Sequence, residues 1–337
     1  MAERARVWEK QKMQVKAIRY HKPGGPDVLQ LDNVELGAPG AGQALVRHTA
    51  IGLNYIDVYF RSGSYPVSLP AGCGSEAAGV VESVGAGVAN VKPGDRVAYL
   101  IGEPGAYAEA RLYPAERLVR LPDGVSDETA AAIMLKGVTA EYLLRRCAPL
   151  QAGYFALMYA ASGGVGLLAG QVARHIGAKL IGVASGPEKC ALAMRNGYHA
   201  VIDRTKEDIL ARVKEITGGN GVPVVYDSIG KATYETTLSC LAPRGFFVSF
   251  GATTGLPPAV DPALLQKMGS LYFTRPTLSN YAMSRPDLEL STGYIFDLAT
   301  AGALVPNIGK RYRLAEAAQA HADLESGRTV GASILLP

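Results

Sequence analysis

Two neighbouring stretches carry residues whose types and spacing suit chemistry. The first is the turn Ala161, Ser162, Gly163, Gly164, Val165, Gly166. An apolar run from Phe155 to Ala160 precedes it and is short enough for one buried strand. Leu167, Leu168, Val172 and Ile176 follow at the spacing of a helix's buried face. Strand, glycine turn and helix form the context that a dinucleotide fingerprint requires. Gly163 lets backbone amides approach a pyrophosphate that a side chain would hold off, and Gly166 lets the helix pack closely on the strand. The helix start adds unpaired N–H groups and a positive dipole end. Ala161 stands where G-x-G-x-x-G has its first glycine, so the bare motif also fits a glycine turn of any doubly wound domain.

The second stretch decides between cofactors. Lys179 to Ala184 reads as the next strand and completes a βαβ unit, followed by a polar loop, Ser185 to Lys189. A site for NAD places Asp or Glu at this strand's tip to hold both ribose hydroxyls. Here the tip is Ala184 and Ser185, Lys189 follows, and Arg204 comes after the apolar strand Ala200 to Ile202. A hydroxyl, an ammonium and a guanidinium suit a 2′-phosphate, which favours NADP(H) over NAD(H). Either cation alone would pass for a solvated surface charge, and Glu188 is able to serve a diol.

These residues need a parallel sheet beneath them. From Gly137 onward the chain alternates strands and helices. Helices are expected over Val138 to Arg146, Glu188 to Asn196, Lys206 to Thr217 and Lys231 to Leu241. The intervening strands are Ala200 to Asp203, Val222 to Ser228, Gly245 to Gly251 and Ser270 to Thr274. Before Gly137, short strands and frequent turns suggest a compact β-rich barrel, with a capped helix from Ser126 to Ile133. Helices Leu288 to Ala301 and Leu314 to Ser326 and a strand, Ala332 to Leu336, close the chain.

Composition narrows the class. The 337 residues suffice for two domains, and 48% hydrophobic with 19% charged residues is the balance of a soluble globular chain. A net charge of +4 without long basic runs argues against a polyanionic partner. Cys73, Cys147, Cys190 and Cys240 are scattered, as reduced cytosolic thiols are. No apolar stretch is long enough for a membrane span. The charged opening, residues 1–12, reads as a tail rather than a secretory signal.

Several motifs in order resemble the zinc-free quinone oxidoreductases of the medium-chain dehydrogenase/reductase superfamily, the group that includes zeta-crystallin. They are Gly52 to Pro66, Gly74 to Val81, Lys136 to Ala140, Ala160 to Gly166, Val225 to Gly230, and Phe250 with Gly251. The likeness runs from Met13 to the end of the chain. It implies a GroES-like catalytic domain split in sequence, residues 13–137 and 275–337, around a Rossmann domain over 138–274. It implies NADPH, a homodimer and a cytoplasmic enzyme. Zinc-dependent relatives hold their ion where this chain has Asn54, Ser75 and Lys136, none of them a good zinc ligand, so no metal is expected. Without a Lewis acid, a substrate with its own electron sink is favoured: a quinone, or an α,β-unsaturated carbonyl.

The resemblance also implies a site. Asn54, Asp57 and Tyr59, spaced i, i+3, i+5, would share one helical turn at the nicotinamide ribose and substrate floor, with Tyr65 lining the same pocket. The plainer reading is a helix cap at Asn54 and a packed ring at Tyr59. Lys136 and Thr139 would lie near phosphate or ribose, although a lone Lys is ordinarily a surface charge. Ser162, Gly163, Gly164, Val165, Ser185, Lys189, Arg204, Ser228, Phe250 and Gly251 would hold the rest of the cofactor, with Arg328 as the basic residue near the C-terminus. Relatives often have Tyr where Arg204 stands. The alternatives are reduction of enals or enones, and a non-catalytic, crystallin-like protein binding nucleotide or RNA. No basic stripe with interleaved aromatics supports the last.

Overall fold

The structure, a computed structural model, describes residues 12–337; the expected tail lies outside them apart from Lys12. The described residues form two compact units, 12–135 with Pro306–Pro337, and Lys136–Val305. The second unit continues past the expected boundary at 274/275, because helices Leu278–Ala282 and Arg285–Thr300 pack within it.

Among the described residues, the first unit holds a seven-stranded and a three-stranded sheet. In the larger one the strand order is Ile308–Arg313, Ala332–Leu336, Gln43–Leu53, Glu76–Val84, Arg96–Leu100, Val119–Arg120, with Ala110–Pro114 paired to Gln43–Leu53 off that path. Pairing is antiparallel except between Ile308–Arg313 and Ala332–Leu336. The two C-terminal strands thus complete a sheet begun near the N-terminus. Ile51, Leu53, Ala77, Val97, Tyr99, Tyr107 and Leu335 are in its buried core. Helix Tyr55–Arg61 follows directly on the long strand Gln43–Leu53.

In the second unit six parallel strands run in the order Ala200–Asp203, Lys179–Ala184, Phe155–Met158, Val222–Asp227, Leu241–Ser249, Tyr272–Thr274. In sequence order this is 3-2-1-4-5-6, the doubly wound arrangement, with the direction of winding reversing between Phe155–Met158 and Val222–Asp227. Strands buried on both faces read as apolar runs rather than alternations, as Ala156, Leu157 and Met158 do.

Two expected helices, on either side of Gly137, are one: Asp127–Tyr142, ending in a π turn over Leu143–Cys147. Every residue from Ala131 to Ala140 is buried, so the helix has no polar face to give it a 3.6-residue stripe. A single Gly in a helix costs about 1 kcal/mol and does not break it. Helix Arg285–Thr300 starts earlier than expected because Ser284 accepts from the Asp287 N–H and Pro286 follows at the start of the helix.

Candidate active site

In the second unit the site begins at the carboxyl ends of the strands flanking the reversal. After Phe155–Met158 the chain turns sharply: Ala160 has φ +53, Gly163 N–H donates to Ala160 O at 2.9 Å, and Ala161 N–H donates to Val183 O at 3.0 Å. Helix Gly164–Ile176 starts there, and Gly163 caps it without any side-chain hydrogen bond. The first amides of an α-helix have no partner within it, and with the positive end of the dipole they suit an anion. A Cβ on Gly163 would lie 3.2 Å from Ala160 O, filling the cradle. One on Gly166 would collide with Ala160 O and Ala161, because the helix lies directly on the turn. Gly164 and Val165 form the first turn of that helix, and Ser162 is buried beside them.

At the next strand tip, Arg204 Nε donates to Ser185 Oγ at 2.6 Å, and the Arg204 side chain is exposed. Asp203, beside it, holds the turn: its Oδ1 accepts from Gly186 N at 2.8 Å and from Thr205 Oγ1 at 2.7 Å. These donors keep the Asp203 carboxyl below the usual carboxylate range. Lys189 is half-buried on helix Pro187–Arg195, and Glu188 is exposed on the same helix. On the other side of the reversal, Phe250 N–H donates to Asp227 O at 2.8 Å and Thr253 N–H to Ser228 O at 3.3 Å. A Cβ on Gly251 would stand 2.7 Å from Ser228 O, which places Ser228, Phe250 and Gly251 on one ledge. The fully buried Asp227 shapes that ledge. Its Oδ1 accepts from the Ile229 and Gly230 amides (2.7 and 3.0 Å), and its Oδ2 from the Thr233 and Thr237 hydroxyls (2.7 and 2.8 Å). Lys136 and Thr139, three apart on helix Asp127–Tyr142, are both buried and share a face.

In the first unit Asn54 is the N-cap of helix Tyr55–Arg61 and is also held by its side chain. Its Nδ2 donates to Glu76 Oε1 at 2.7 Å, while Glu76 Oε2 accepts from the Leu135 amide at 2.6 Å. Gly52 makes room for that buried carboxylate, since a Cβ there would overlap it. The expected common face for Asn54, Asp57 and Tyr59 is not formed. Positions two apart on a helix point about 200° away from each other, so Asp57 is turned inward and Tyr59 outward. Asp57 is fully buried, accepting at Oδ1 from Ser75 Oγ (2.5 Å) and at Oδ2 from Asn54 N (3.0 Å) and Tyr107 Oη (3.0 Å). Burial pushes its carboxyl up to about 6, against the pull of those three donors. Asp57 is therefore a buried support and not a wall of a substrate pocket. Tyr59 instead packs among rings, with centroids 5.3 Å from Tyr55 and 5.2 Å from Tyr65. Tyr65 is 37% exposed. Arg328 departs from expectation too: its Nη2 is bonded to Asp323 Oδ1 at 2.8 Å, on a carboxylate shared with Lys310, Tyr312 and Gln319.

Of the three residues expected at zinc-ligand places, Asn54 is tied to Glu76 and Ser75 to Asp57. Among the described residues no group of three or more His, Cys, Asp or Glu is arranged to hold a metal ion.

Comparison with known proteins gives this architecture a family. Residues 40–123 match the alcohol dehydrogenase GroES-like domain, and residues 164–291 the zinc-binding dehydrogenase family. The chain is 48% identical over 323 residues to a quinone oxidoreductase of Pseudomonas aeruginosa, covering 96% of this chain and 99% of that protein. This chain belongs to the quinone oxidoreductase family. It shares 43% identity and a TM-score of 0.94 with the crystal structure of an Escherichia coli quinone oxidoreductase complexed with NADPH, over 96% of this chain and all of that one. A 2-haloacrylate reductase of a Burkholderia species is 41% identical over 333 residues, 96% of this chain and 99% of that protein. The family is a division of the medium-chain dehydrogenase/reductases, and the GroES-like and Rossmann folds expected from the motifs are the folds found. Sequence reasoning did not find the buried supports of the candidate site: Glu76, Tyr107, Asp203 and Asp227. Buried carboxylates at strand ends were the available signal.

Proposed function

We propose that this chain is an NADPH-dependent quinone reductase that works without zinc. The observation that carries the cofactor is the hydrogen bond from Arg204 to Ser185, at the end of a strand, Lys179–Ala184, that carries no acid at its own tip, together with the start of helix Gly164–Ile176, which no side chain caps. An anion cradle and an exposed guanidinium fit a dinucleotide with a 2′-phosphate. In this reading Gly163, Gly164 and Val165 offer amides to the pyrophosphate, while Ser185, Lys189 and Arg204 meet the 2′-phosphate. Ser162, Ser228, Phe250, Gly251, Lys136 and Thr139 complete the groups around the phosphates and ribose. When bound, NADPH supplies a hydride, which a conjugated acceptor takes together with a proton. Asn54 holds the nicotinamide ribose, and Tyr59 and Tyr65 orient the flat acceptor and exclude water. Asp57 acts only through Asn54 and Ser75, and Arg328 has no part.

The likeness to a 2-haloacrylate reductase favours a second reading, in which the acceptor is an α,β-unsaturated carbonyl or carboxylate. The test is NADPH oxidation, followed by absorbance, with a benzoquinone, an enal and a 2-haloacrylate. Turnover of the quinone above the other two is the expected result. Preference for either of the others moves the substrate class. A salt-sensitive RNA shift with no NADPH oxidation overturns the enzyme reading. We place the protein in the cytoplasm as a homodimer. The edge strand Tyr272–Thr274, whose Tyr272 is 54% exposed, suits pairing with a second copy. No helix among the described residues is long and apolar enough to cross a membrane.

A further inference from the structure

Behind Asp57 the first unit buries a line of polar side chains that reaches the surface. Tyr107 Oη lies 3.0 Å from Asp57 Oδ2 and 3.1 Å from His321 Nε2. His321 Nδ1 lies 3.1 Å from Arg61 Nη1, and Arg61 is paired with Glu325 through both terminal nitrogens, at 2.9 and 2.7 Å. Arg61 Nε also donates to Gly24 O at 3.1 Å. Asp57, Tyr107 and His321 are fully buried and Arg61 is 1% exposed, whereas the Glu325 side chain is 28% exposed. Gly74, at φ +94, makes room for the Tyr107 ring, which any Cβ there would overlap.

The line has a fixed direction. A guanidinium only donates, so His321 Nδ1 must accept and the ring proton sits on Nε2. His321 then donates to Tyr107, and Tyr107 donates to Asp57. Burial, reinforced by the Arg61 charge, holds His321 down to about 3, so the ring is neutral and keeps that tautomer. A proton wire from solvent is ruled out by the same logic, because Arg61 stands in the line and neither accepts nor releases a proton. What the line can do is orient. Asp57 receives Tyr107 on the oxygen that also accepts the Asn54 amide, and Ser75 on the other. The charged and titratable groups around Asp57 are Glu76, Cys73, Tyr20, Tyr107, His321 and Arg61.

We propose that Tyr107, His321 and Arg61 are positioning residues, a one-way chain of hydrogen bonds that fixes Asp57 and, through it, the setting of Asn54 and Ser75 against the cofactor. This rests on the reading that Asn54 contacts NADPH. The direction of the chain makes a sharp demand on substitutions. In His321→Gln the side-chain carbonyl can accept from Arg61 while the amide donates to Tyr107. His321→Leu can do neither, and Tyr107→Phe removes both the donor to Asp57 and the acceptor for His321 Nε2.

The experiment measures NADPH dissociation by fluorescence titration, melting without cofactor, and steady-state kinetics with a benzoquinone. His321→Gln should bind NADPH within about threefold of the parent, and His321→Leu and Tyr107→Phe should bind about tenfold more weakly, with KM for NADPH rising more than kcat falls. If Gln weakens binding as much as Leu, the directional chain is wrong. If Leu and Phe melt earlier but bind NADPH like the parent, the residues are structural only and the proposal is overturned. Should His321→Leu fail to fold, Tyr107→Phe against His321→Gln makes the same comparison. A parent that binds NADPH but reduces no quinone removes the substrate reading alone. A parent that binds no NADPH overturns both.

Discussion

Arg204 touches Ser185 and little else that would hold it, so its guanidinium is available to an added phosphate at small rearrangement cost. A charge-assisted hydrogen bond is worth about 1.5–3 kcal/mol, and exposure of the side chain puts this one at the low end. Arg204→Ala should therefore weaken NADPH about tenfold and leave NADH nearly unchanged; titration with both dinucleotides decides, and equal losses remove the 2′-phosphate role. Tyr59 makes a different case. Its ring packs with Tyr55 and Tyr65 on the outward side of helix Tyr55–Arg61. Tyr59→Ala should lower kcat/KM for quinone by a few-fold to tenfold and leave the NADPH dissociation constant alone, since an orienting contact acts on the acceptor. A variant whose NADPH binding falls in parallel would place the ring on the cofactor instead. Both proposals start from local motifs in the sequence, a strand tip and a turn of helix. The spacing i, i+3, i+5 does not put Asp57 and Tyr59 on one face, since they are two positions apart and point to opposite sides of the helix. His321 was invisible for another reason: its bond to Arg61 spans 260 residues of chain, and no local pattern announces such a pair.

At the scale of elements, the tightest constraint is the helix that starts at Gly164. Its use as an anion site depends on how near its first amides lie to the turn, and Gly166 sets that distance, because any Cβ would strike Ala160 O. Overpacking of this kind costs about 1–3 kcal/mol when backbone must move. Gly166→Ala should lower stability by that amount in denaturant unfolding and also weaken NADPH, since the amides retreat with the helix. Loss of stability with unchanged NADPH affinity would mean that the helix start does not hold the pyrophosphate. The parallel strands of this unit were legible because a fully buried strand between polar turns is short, apolar and β-branched. The strand Ala110–Pro114 was not, because Ala110, Arg111, Leu112 and Tyr113 show neither a run nor an alternation and owe their pairing to Gln43–Leu53. Helix Asp127–Tyr142 was split for a related reason, burial all round having erased its stripe.

At the scale of the whole molecule, the two compact units differ in what they bury. The first holds two imidazoles, His48 and His321; the histidines of the second, His175 and His199, are exposed. His48 donates from Nδ1 to Ala108 O (2.7 Å) and accepts from Tyr99 Oη (2.9 Å), and burial brings it down to about 3. A histidine whose folded value is depressed contributes stability that is complete above its unfolded value near 6.5 and is lost as pH falls toward about 3. Each such shift amounts to several kcal/mol at the order-of-magnitude level. Asp57 acts in the opposite sense, since a carboxyl raised to about 6 gives stability below its unfolded value near 3.8 that is lost as pH rises through 6. Two histidines outweigh one aspartate, so acid should destabilise the first unit over the window from about 6.5 to 3. The second unit buries no such histidine and should keep its structure further into that window. Hydrogen exchange read segment by segment at a series of pH values tests this. Peptides from Gln43–Leu53 and Arg96–Leu100 should lose protection at higher pH than those from Phe155–Met158 and Val222–Asp227. Simultaneous loss in all four would mean that acid unfolding is set by something common to both units, and the buried imidazoles would not be its cause.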